Sequence, residues 1–159
     1  MAIFLNNNVG FQIQVSAAYV DLSNHVKSIT INRQFDELDI SAMGSTGHQF
    51  VAGLESSTIS VDFYNDTATG SVLQTLNTLV GTNAAFKVCQ TVVPGSPSTA
   101  TISATNPLYS GLVLVNKLTP VNGSAADISM QSLQFTVSGS ITYPNTCSYC
   151  CLHRYLKFF

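Results

Sequence analysis

The sequence predicts a mainly β fold, an antiparallel β-sandwich or half-barrel flanked by one α-helix at about residues 70–80. Segments with a hydrophobic period of two recur along the chain, which is typical of half-buried strands, and a single segment has helical period. The strands do not alternate with helices as they do in parallel folds. With 159 residues, the chain is long enough for one domain with a substantial core.

Strand patterns in the first half of the chain occupy residues 11–15, 19–22, 26–33 and 58–63. The second segment continues the first or pairs with it. The third has a phase irregularity near Ser28, which indicates a β-bulge. The fourth alternates most clearly, because Ile59, Val61 and Phe63 fall on one face and polar residues on the other.

Strand patterns in the second half occupy residues 84–93, 108–118 and 128–143, with a turn at 120–124. Helical spacing appears once, in Val72, Leu73, Leu76, Leu79 and Val80. Asp66, Thr67 and Thr69 are start signals for this helix, and Gly81 is a stop signal. One helix among six or more strands predicts that the helix packs across a sheet.

A long loop is predicted at residues 36–55, where an acidic run precedes a polar, glycine-containing stretch. Loops of this length in compact domains are usually functional or disordered. Asp36, Glu37 and Asp39 form the densest acidic group of the chain. Because no apolar pocket is indicated around them that would raise a carboxyl pKa, a solvated or interface surface is favoured over an acid–base pair.

The composition favours a protein that assembles. Charged residues make up only 9% of the chain, although its hydrophobic content of 45% is ordinary. Its surface must then consist largely of Ser, Thr, Asn and Gln, and depletion of charge is typical of interfaces. A simple polar β-domain is the alternative. The formal net charge of −2 and only six Lys plus Arg argue against tight DNA binding.

No signal peptide and no apolar run of membrane-spanning length are recognisable in the sequence. We therefore expect no membrane partner and a protein made in a cytoplasm. The expected organisation is one β-rich domain at residues 1–144 followed by an extension at 145–159 that is rich in cysteines and aromatic residues.

The extension contains the residues that come nearest to a metal site, Cys147, Cys150, Cys151 and His153. A second ligand cluster, which zinc sites of this kind usually have, is missing. Reduced thiols in a floppy or interface-packed tail are therefore favoured over zinc, with disulfides between subunits after cell lysis as a further alternative. No nucleophile elbow or phosphate-binding loop is present, so we expect neither an enzyme nor a cofactor.

Several segments, in this order and spacing, resemble the tail tube (major tail) proteins of long-tailed bacteriophages. These segments are Asp39-x-Ser41-x-Met43-Gly44, Val51-Ala52-Gly53-Leu54, Thr58 to Phe63, Gly70-Ser71-Val72, Leu79-Val80-Gly81, Thr105-Asn106-Pro107-x-Tyr109-x-Gly111 and Val137 to Thr142. The resemblance covers roughly residues 26–143, and the extension departs from it.

The resemblance implies a virion protein whose copies form hexameric rings that stack into a tube through which DNA passes. It also implies partners in the tail, namely the tape measure, terminator and distal tail proteins. The long loop would reach a neighbouring subunit or ring, with assembly contacts from Asp39, Ser41, Met43, Gly44, Gly53 and Leu54. We further hypothesise a bore lined by acidic and Ser/Thr/Asn side chains, with Asp36, Glu37 and Asp62 as candidate acids.

Three other functions compete with the tail tube. A capsid cement or decoration protein, or a tail-terminator ring, would need the same kind of interface-rich β-domain. A carbohydrate-binding β-sandwich would need exposed aromatic residues, but the chain has no Trp and its six Tyr are dispersed. A hydrolase is the most distant alternative, because no triad or carboxylate pair is apparent.

Overall fold

A computed structural model describes residues 8–92, 100, 102–103 and 105–143. Over these residues the chain forms nine β-strands, one α-helix and a short 3-10 helix at Ser23–His25. The strands are β1 (Gly10–Val15), β2 (Ala18–Asp21), β3 (Val26–Asn32), β4 (Phe35–Asp39), β5 (Phe50–Glu55), β6 (Thr58–Tyr64), β7 (Asn83–Cys89), β8 (Leu108–Leu114) and β9 (Met130–Thr142). The helix, α1, spans Val72–Leu79.

Seven strands form one antiparallel sheet in the order β2-β1-β7-β8-β9-β6-β3, and β4 pairs only with β5. The prediction of a mainly β, antiparallel fold with one helix is confirmed. The register of β3 against β6 shifts between Val26 and Ser28, which confirms the predicted bulge.

The seven-stranded sheet curls into an open half-barrel. The ring centroids of Phe11 on β1 and Phe63 on β6 lie only 5.6 Å apart, in an edge-to-face contact. In the sheet order these strands are four steps apart, which would separate them by roughly 19 Å in a flat sheet. The sheet therefore bends around its own core, and four fully buried phenylalanines fill the inside, namely Phe11, Phe63, Phe86 and Phe135.

Helix α1 closes one side of this core. Its apolar stripe of Val72, Leu76 and Leu79 is buried in the same cluster as the sheet residues. Gly81 follows the helix, as predicted, and its backbone N–H donates to the carbonyl of Val115 at 2.7 Å. β8 ends at Leu114, earlier than the predicted limit near residue 118, and Val115 still hydrogen-bonds to Gly81 and Thr82 just before β7.

The structure differs from the predicted long loop at residues 36–55. The acidic run is itself a strand, β4, and β5 returns antiparallel to it. Only residues 40–49 lie outside these two strands. No helix among the described residues is long and apolar enough to cross a membrane.

Candidate assembly site

The hairpin of β4 and β5 with its connecting loop, residues 35–55 and hereafter the arm, lies outside the core. Every residue of β4 is exposed. Of the fourteen exposed large apolar side chains among the described residues, seven belong to the arm: Phe35, Leu38, Ile40, Met43, Phe50, Val51 and Leu54. Exposed apolar surfaces of this kind on polar domains are typical of interaction sites.

Both faces of the arm are apolar. Leu38 is paired with Val51, so the two side chains lie on one face, and the neighbouring pair places Phe50 with Asp39 on the other. A two-stranded hairpin has at best marginal stability in water, and neither face is covered by the rest of the described chain. The arm therefore exposes apolar side chains on both of its faces.

Glu55 anchors the base of the arm to the main sheet. Its carboxylate accepts hydrogen bonds from Arg33 (Nε to Oε1 3.2 Å, Nη2 to Oε2 3.4 Å) and from the Ser57 hydroxyl at 2.7 Å. The backbone N–H of Ile141 on β9 donates to it at 3.3 Å. The Arg33 bond above all, followed by the Ser57 bond, lowers the pKa of Glu55 below its ordinary value of 4.5. The carboxylate is thus held charged at a side chain that is only 7% exposed.

Gly53 lets the two strands of the arm approach each other closely. A Cβ atom at this position would lie 3.1 Å from the carbonyl oxygen of Asp36 and 3.3 Å from Cγ of Leu38. The register of β4 against β5 shifts between Phe35 and Glu37, close to the same point. The close backbone approach at Gly53 therefore occurs inside the arm itself.

Asp39 organises the tip of the arm. Its carboxylate accepts hydrogen bonds from the backbone N–H and the hydroxyl of Ser41 at 2.8 and 2.5 Å, and lies 2.8 Å from Nδ1 of His48. These bonds, the Ser41 hydroxyl first, lower the pKa of Asp39. Gly44 turns the chain with a φ of +97°, and the neighbouring Met43 side chain is fully exposed.

The six predicted assembly residues thus divide into two groups within the arm. Asp39, Ser41, Gly44 and Gly53 shape the arm itself, and of the six only Met43 and Leu54 expose large apolar side chains. Sequence reasoning missed the other five apolar side chains, namely Phe35, Leu38, Ile40, Phe50 and Val51. Their signal in the sequence is the presence of Leu-x-Ile and Phe-Val within an otherwise polar stretch.

The three candidate bore acids lie in two places. Asp36 and Glu37 belong to the arm, and Asp36 accepts a hydrogen bond from the Ser56 hydroxyl at 3.0 Å. Asp62 lies on β6 with its side chain on the outer face of the main sheet. Its carboxylate accepts hydrogen bonds from Ser132 and Ser28, which lower its pKa in that order of importance.

The outer face around Asp62 is mainly polar, and Lys27 and Lys117 lie beside this carboxylate. Three rows of paired residues cross β3, β6 and β9 there: Ser28, Asp62 and Ser132; Thr30, Ser60 and Gln134; Asn32, Thr58 and Thr136. Asp62 carries the only charge in these nine positions. The arrangement gives a flat surface of hydroxyl and amide groups.

His25, Asp66 and Ser71 come together beside α1 but do not form a catalytic triad. Nε2 of His25 lies 3.0 Å from the Asp66 carboxylate and 3.4 Å from the Ser71 hydroxyl. In a catalytic triad the acid and the nucleophile contact different ring nitrogens of the histidine, whereas Asp66 and Ser71 both contact Nε2 of His25. The cluster links the 3-10 helix to the start of α1.

No group of three or more His, Cys, Asp or Glu that could hold a metal is found in the part of the chain that the structure describes. The predicted weak candidates, Cys147, Cys150, Cys151 and His153, lie outside the described residues. Cys89 is buried, which raises the pKa of its thiol.

The fold has solved counterparts, whereas the sequence matches no protein-family model and no curated protein. A chain from the virion of the native gene transfer agent particle is 13% identical, with a TM-score of 0.62 over 84% of this chain and 95% of that chain. A chain from the tail of the empty gene transfer agent particle, which has C6 symmetry, is also 13% identical, with a TM-score of 0.60 over 86% and 95%. At this identity the similarity shows the fold, and the chain therefore folds like chains of the gene transfer agent virion and tail.

Proposed function

We propose that this chain is a structural protein of a virion tail. Its copies form rings, with six copies in each, and the rings stack into the tail tube, a conduit for DNA. The arm carries this proposal, because it combines seven exposed apolar side chains with a position outside the core. The fold it shares with a chain from a C6-symmetric tail supports the ring.

Self-association also agrees with the physical chemistry of the surface. A chain with 9% charged residues has weak electrostatic protection against contact with its own copies. A stacked tube needs contacts between different surfaces of identical subunits, because like-to-like contacts close into dimers. The arm is one such surface, and it projects from one end of the sheet.

The outer face of β3, β6 and β9 suits the lining of the bore. Its surface consists mostly of hydroxyl and amide groups, and its two cations, Lys27 and Lys117, lie beside the Asp62 carboxylate, so it offers DNA little positive charge to hold it. Asp36 and Glu37 would add negative charge where the arm borders the bore. A cryo-microscopy reconstruction with a predominantly basic bore would contradict this lining.

The same proposal implies where the protein is made, where it resides and which proteins it contacts. The protein is made in the host cytoplasm and resides in the virion tail, where its partners beyond its own copies are the tape measure, terminator and distal tail proteins. The β-rich domain at 1–144 carries assembly, and the extension at 145–159 is an appendage to it. No catalytic role is part of the proposal.

Negative-stain microscopy of the purified protein tests the function directly. Six-fold rings or tubes are the expected result, and mass photometry should show hexamers or higher multiples. Stable monomers or trimers that bind pre-formed capsids would overturn the tail tube in favour of a decoration protein. A variant lacking residues 40–49 and a variant with Leu38→Ser would show whether assembly depends on the arm.

A further inference from the structure

One end of the half-barrel core contains buried polar atoms that have no hydrogen-bond partner. Among the described residues these side-chain atoms are Nδ1 of His25, Oδ1 of Asn65, and both Nε2 and Oε1 of Gln131. Gln131 is completely buried, although glutamine is mostly found on the surface of proteins. Because buried polar atoms in folded proteins are nearly always hydrogen-bonded, these atoms require an explanation.

Gln131 and Asn65 both lie next to Phe63, one of the phenylalanines inside the half-barrel. Gln131 on β9 is paired with Phe63 on β6, and both side chains are fully buried. Asn65 follows Phe63 by two positions, so its side chain lies on the same side of the sheet. The backbone N–H of Asn65 donates to the carbonyl of Ser129 at 3.0 Å, which continues the ladder of β6 and β9. Gln131 and Asn65 are therefore diagonal neighbours in this ladder, and their amide groups can face a common space.

His25 approaches the same place from the other side of β6. Val26, which follows it, is paired with Phe63 on the side of β6 that is away from β9. Nε2 of His25 lies 3.0 Å from the Asp66 carboxylate, which is an acceptor, so we assign the proton of the neutral ring to Nε2. Nδ1 is then an acceptor that is buried without a partner.

The unpartnered atoms combine donors and acceptors in a way that suits water. Nδ2 of Asn65 donates to the Ser129 hydroxyl at 2.7 Å, so the free atom of this amide is its carbonyl oxygen, an acceptor. Gln131 contributes another acceptor and the N–H donors of its amide. A metal cation would face these N–H groups, and an anion would face the acceptors of all three residues, so neither fits. Water both donates and accepts, and a buried water typically makes about three hydrogen bonds.

We propose that this end of the core is a hydration site, in which roughly one or two ordered waters link the Gln131 amide to Oδ1 of Asn65 and Nδ1 of His25. An amide that is buried without partners destabilises the fold, and bridging waters remove most of that penalty. The waters connect β9 and β6 to the 3-10 helix, and His25 continues the connection to Asp66, which precedes α1. The site lies within one subunit, so it does not depend on the proposed function.

A structure of the wild-type protein, at a resolution that shows ordered waters, tests the site directly. Either a crystal structure or a cryo-microscopy reconstruction of assembled protein is suitable. The expected result is density for water at about 2.7–3.2 Å from the Gln131 amide and from Oδ1 of Asn65 or Nδ1 of His25. Direct hydrogen bonds of these three side chains to protein atoms, or a core without water at this place, would overturn the proposal.

Gln131→Leu gives a second readout, since leucine is of similar size but cannot bind water. In a hydrated site the substitution removes the amide that holds the water and leaves the acceptors of Asn65 and His25 buried, so the folding equilibrium constant should fall about tenfold or more. In a dry core the same substitution removes an unpartnered amide, and the constant should rise instead. Gln134→Leu is the matched control, because Gln134 is exposed on the same strand and should change the constant less than about threefold.

Urea unfolding of the unassembled protein measures these constants. A constant that rises or stays unchanged in Gln131→Leu would overturn the hydration site. Gln131→Met replaces this variant if it does not fold, because the flexible methionine side chain adapts more easily to the space. None of these outcomes bears on the formation of rings or tubes, which microscopy of the purified protein tests separately.

Discussion

Arg33 and Glu55 form an ion pair across the base of the arm. Arg33 follows β3 and Glu55 ends β5, and two hydrogen bonds of 3.2 and 3.4 Å join the guanidinium to the carboxylate. Through the backbone N–H of Ile141, Glu55 also reaches β9 of the main sheet. This pair therefore connects a hairpin that lacks a core to the part of the chain that has one.

Replacing Glu55 with Gln should loosen the arm while the body stays folded. The loss of charge-assisted hydrogen bonds to a side chain that is only 7% exposed costs about 1–3 kcal/mol. We expect faster cleavage of residues 40–49 by a protease and faster amide exchange at the base of the arm. Glu37→Gln is the control, since Glu37 is exposed. Equal protection in both variants would show that the pair does not hold the arm.

Acidification should weaken the same anchor. Because the hydrogen bonds from Arg33 and then Ser57 lower the pKa of Glu55 below 4.5, its contribution to stability is present above about pH 4.5. It is lost as the pH falls through the lower pKa of the folded state. Urea unfolding of the unassembled protein between pH 7 and 3 measures this contribution as the difference between wild type and Glu55→Gln. A difference that grows on acidification would contradict the assignment.

Substitutions of two leucines should distinguish an effect on folding from an effect on assembly. Leu76 of α1 is fully buried, so Leu76→Ala should lower the free energy of unfolding by about 2–5 kcal/mol. Leu54 of the arm is 81% exposed, so Leu54→Ala should change that free energy by less than about 0.5 kcal/mol. It should instead raise the concentration needed for tube formation about tenfold, through lost apolar burial.

The readouts for this pair are denaturant unfolding and sedimentation of tubes. A large loss of stability in Leu54→Ala would mean that the arm packs against its own chain. Unchanged tube formation by Leu54→Ala would remove this side chain from the contact.

Gly53 should not tolerate a side chain. In Gly53→Ala the new methyl group would meet the Asp36 carbonyl oxygen at 3.1 Å, so β4 and β5 must separate. Such overpacking costs about 1–3 kcal/mol, here within the arm, and should reduce assembly. Gly47→Ala is the matched control in the same arm, because a methyl group at that position would have no atom within 4 Å. The two variants are compared by tube yield, and equal yields would contradict the argument.

The longest strands and the helix of the body were predictable because each of them buries one face. β6 and β9 keep a strict period of two, and α1 keeps its leucines on one stripe. Even the bulge near Ser28 shows as a break in that period. The hydrophobic pattern of the sequence was sufficient to predict an element wherever that element buries one side against the core.

Hydrophobic periodicity failed on the arm for a physical reason. A strand that packs against no core has no single face to bury. Leu38 on β4 and Phe50 on β5 are both exposed on opposite faces of the arm, so no alternation of apolar and polar residues identifies these strands. The contacts of His25 with Asp66, 41 residues away, and of Glu55 with Ile141, 86 residues away, depend on tertiary structure. Sequence could identify Met43 and Leu54 as candidates, but it could not identify Glu55 as the anchor.

The placement of the arm at one end of the sheet has a consequence for length. In any finite stack of the proposed kind, in which the arms of one ring contact the next, the terminal ring on one side keeps its arms bare, with Phe50 and Leu54 in water, whatever the number of rings. The opposite terminus of such a stack would have no bare arms. The two termini would therefore be chemically distinct, and a molecule that covers the bare-armed terminus would have to bury these apolar side chains.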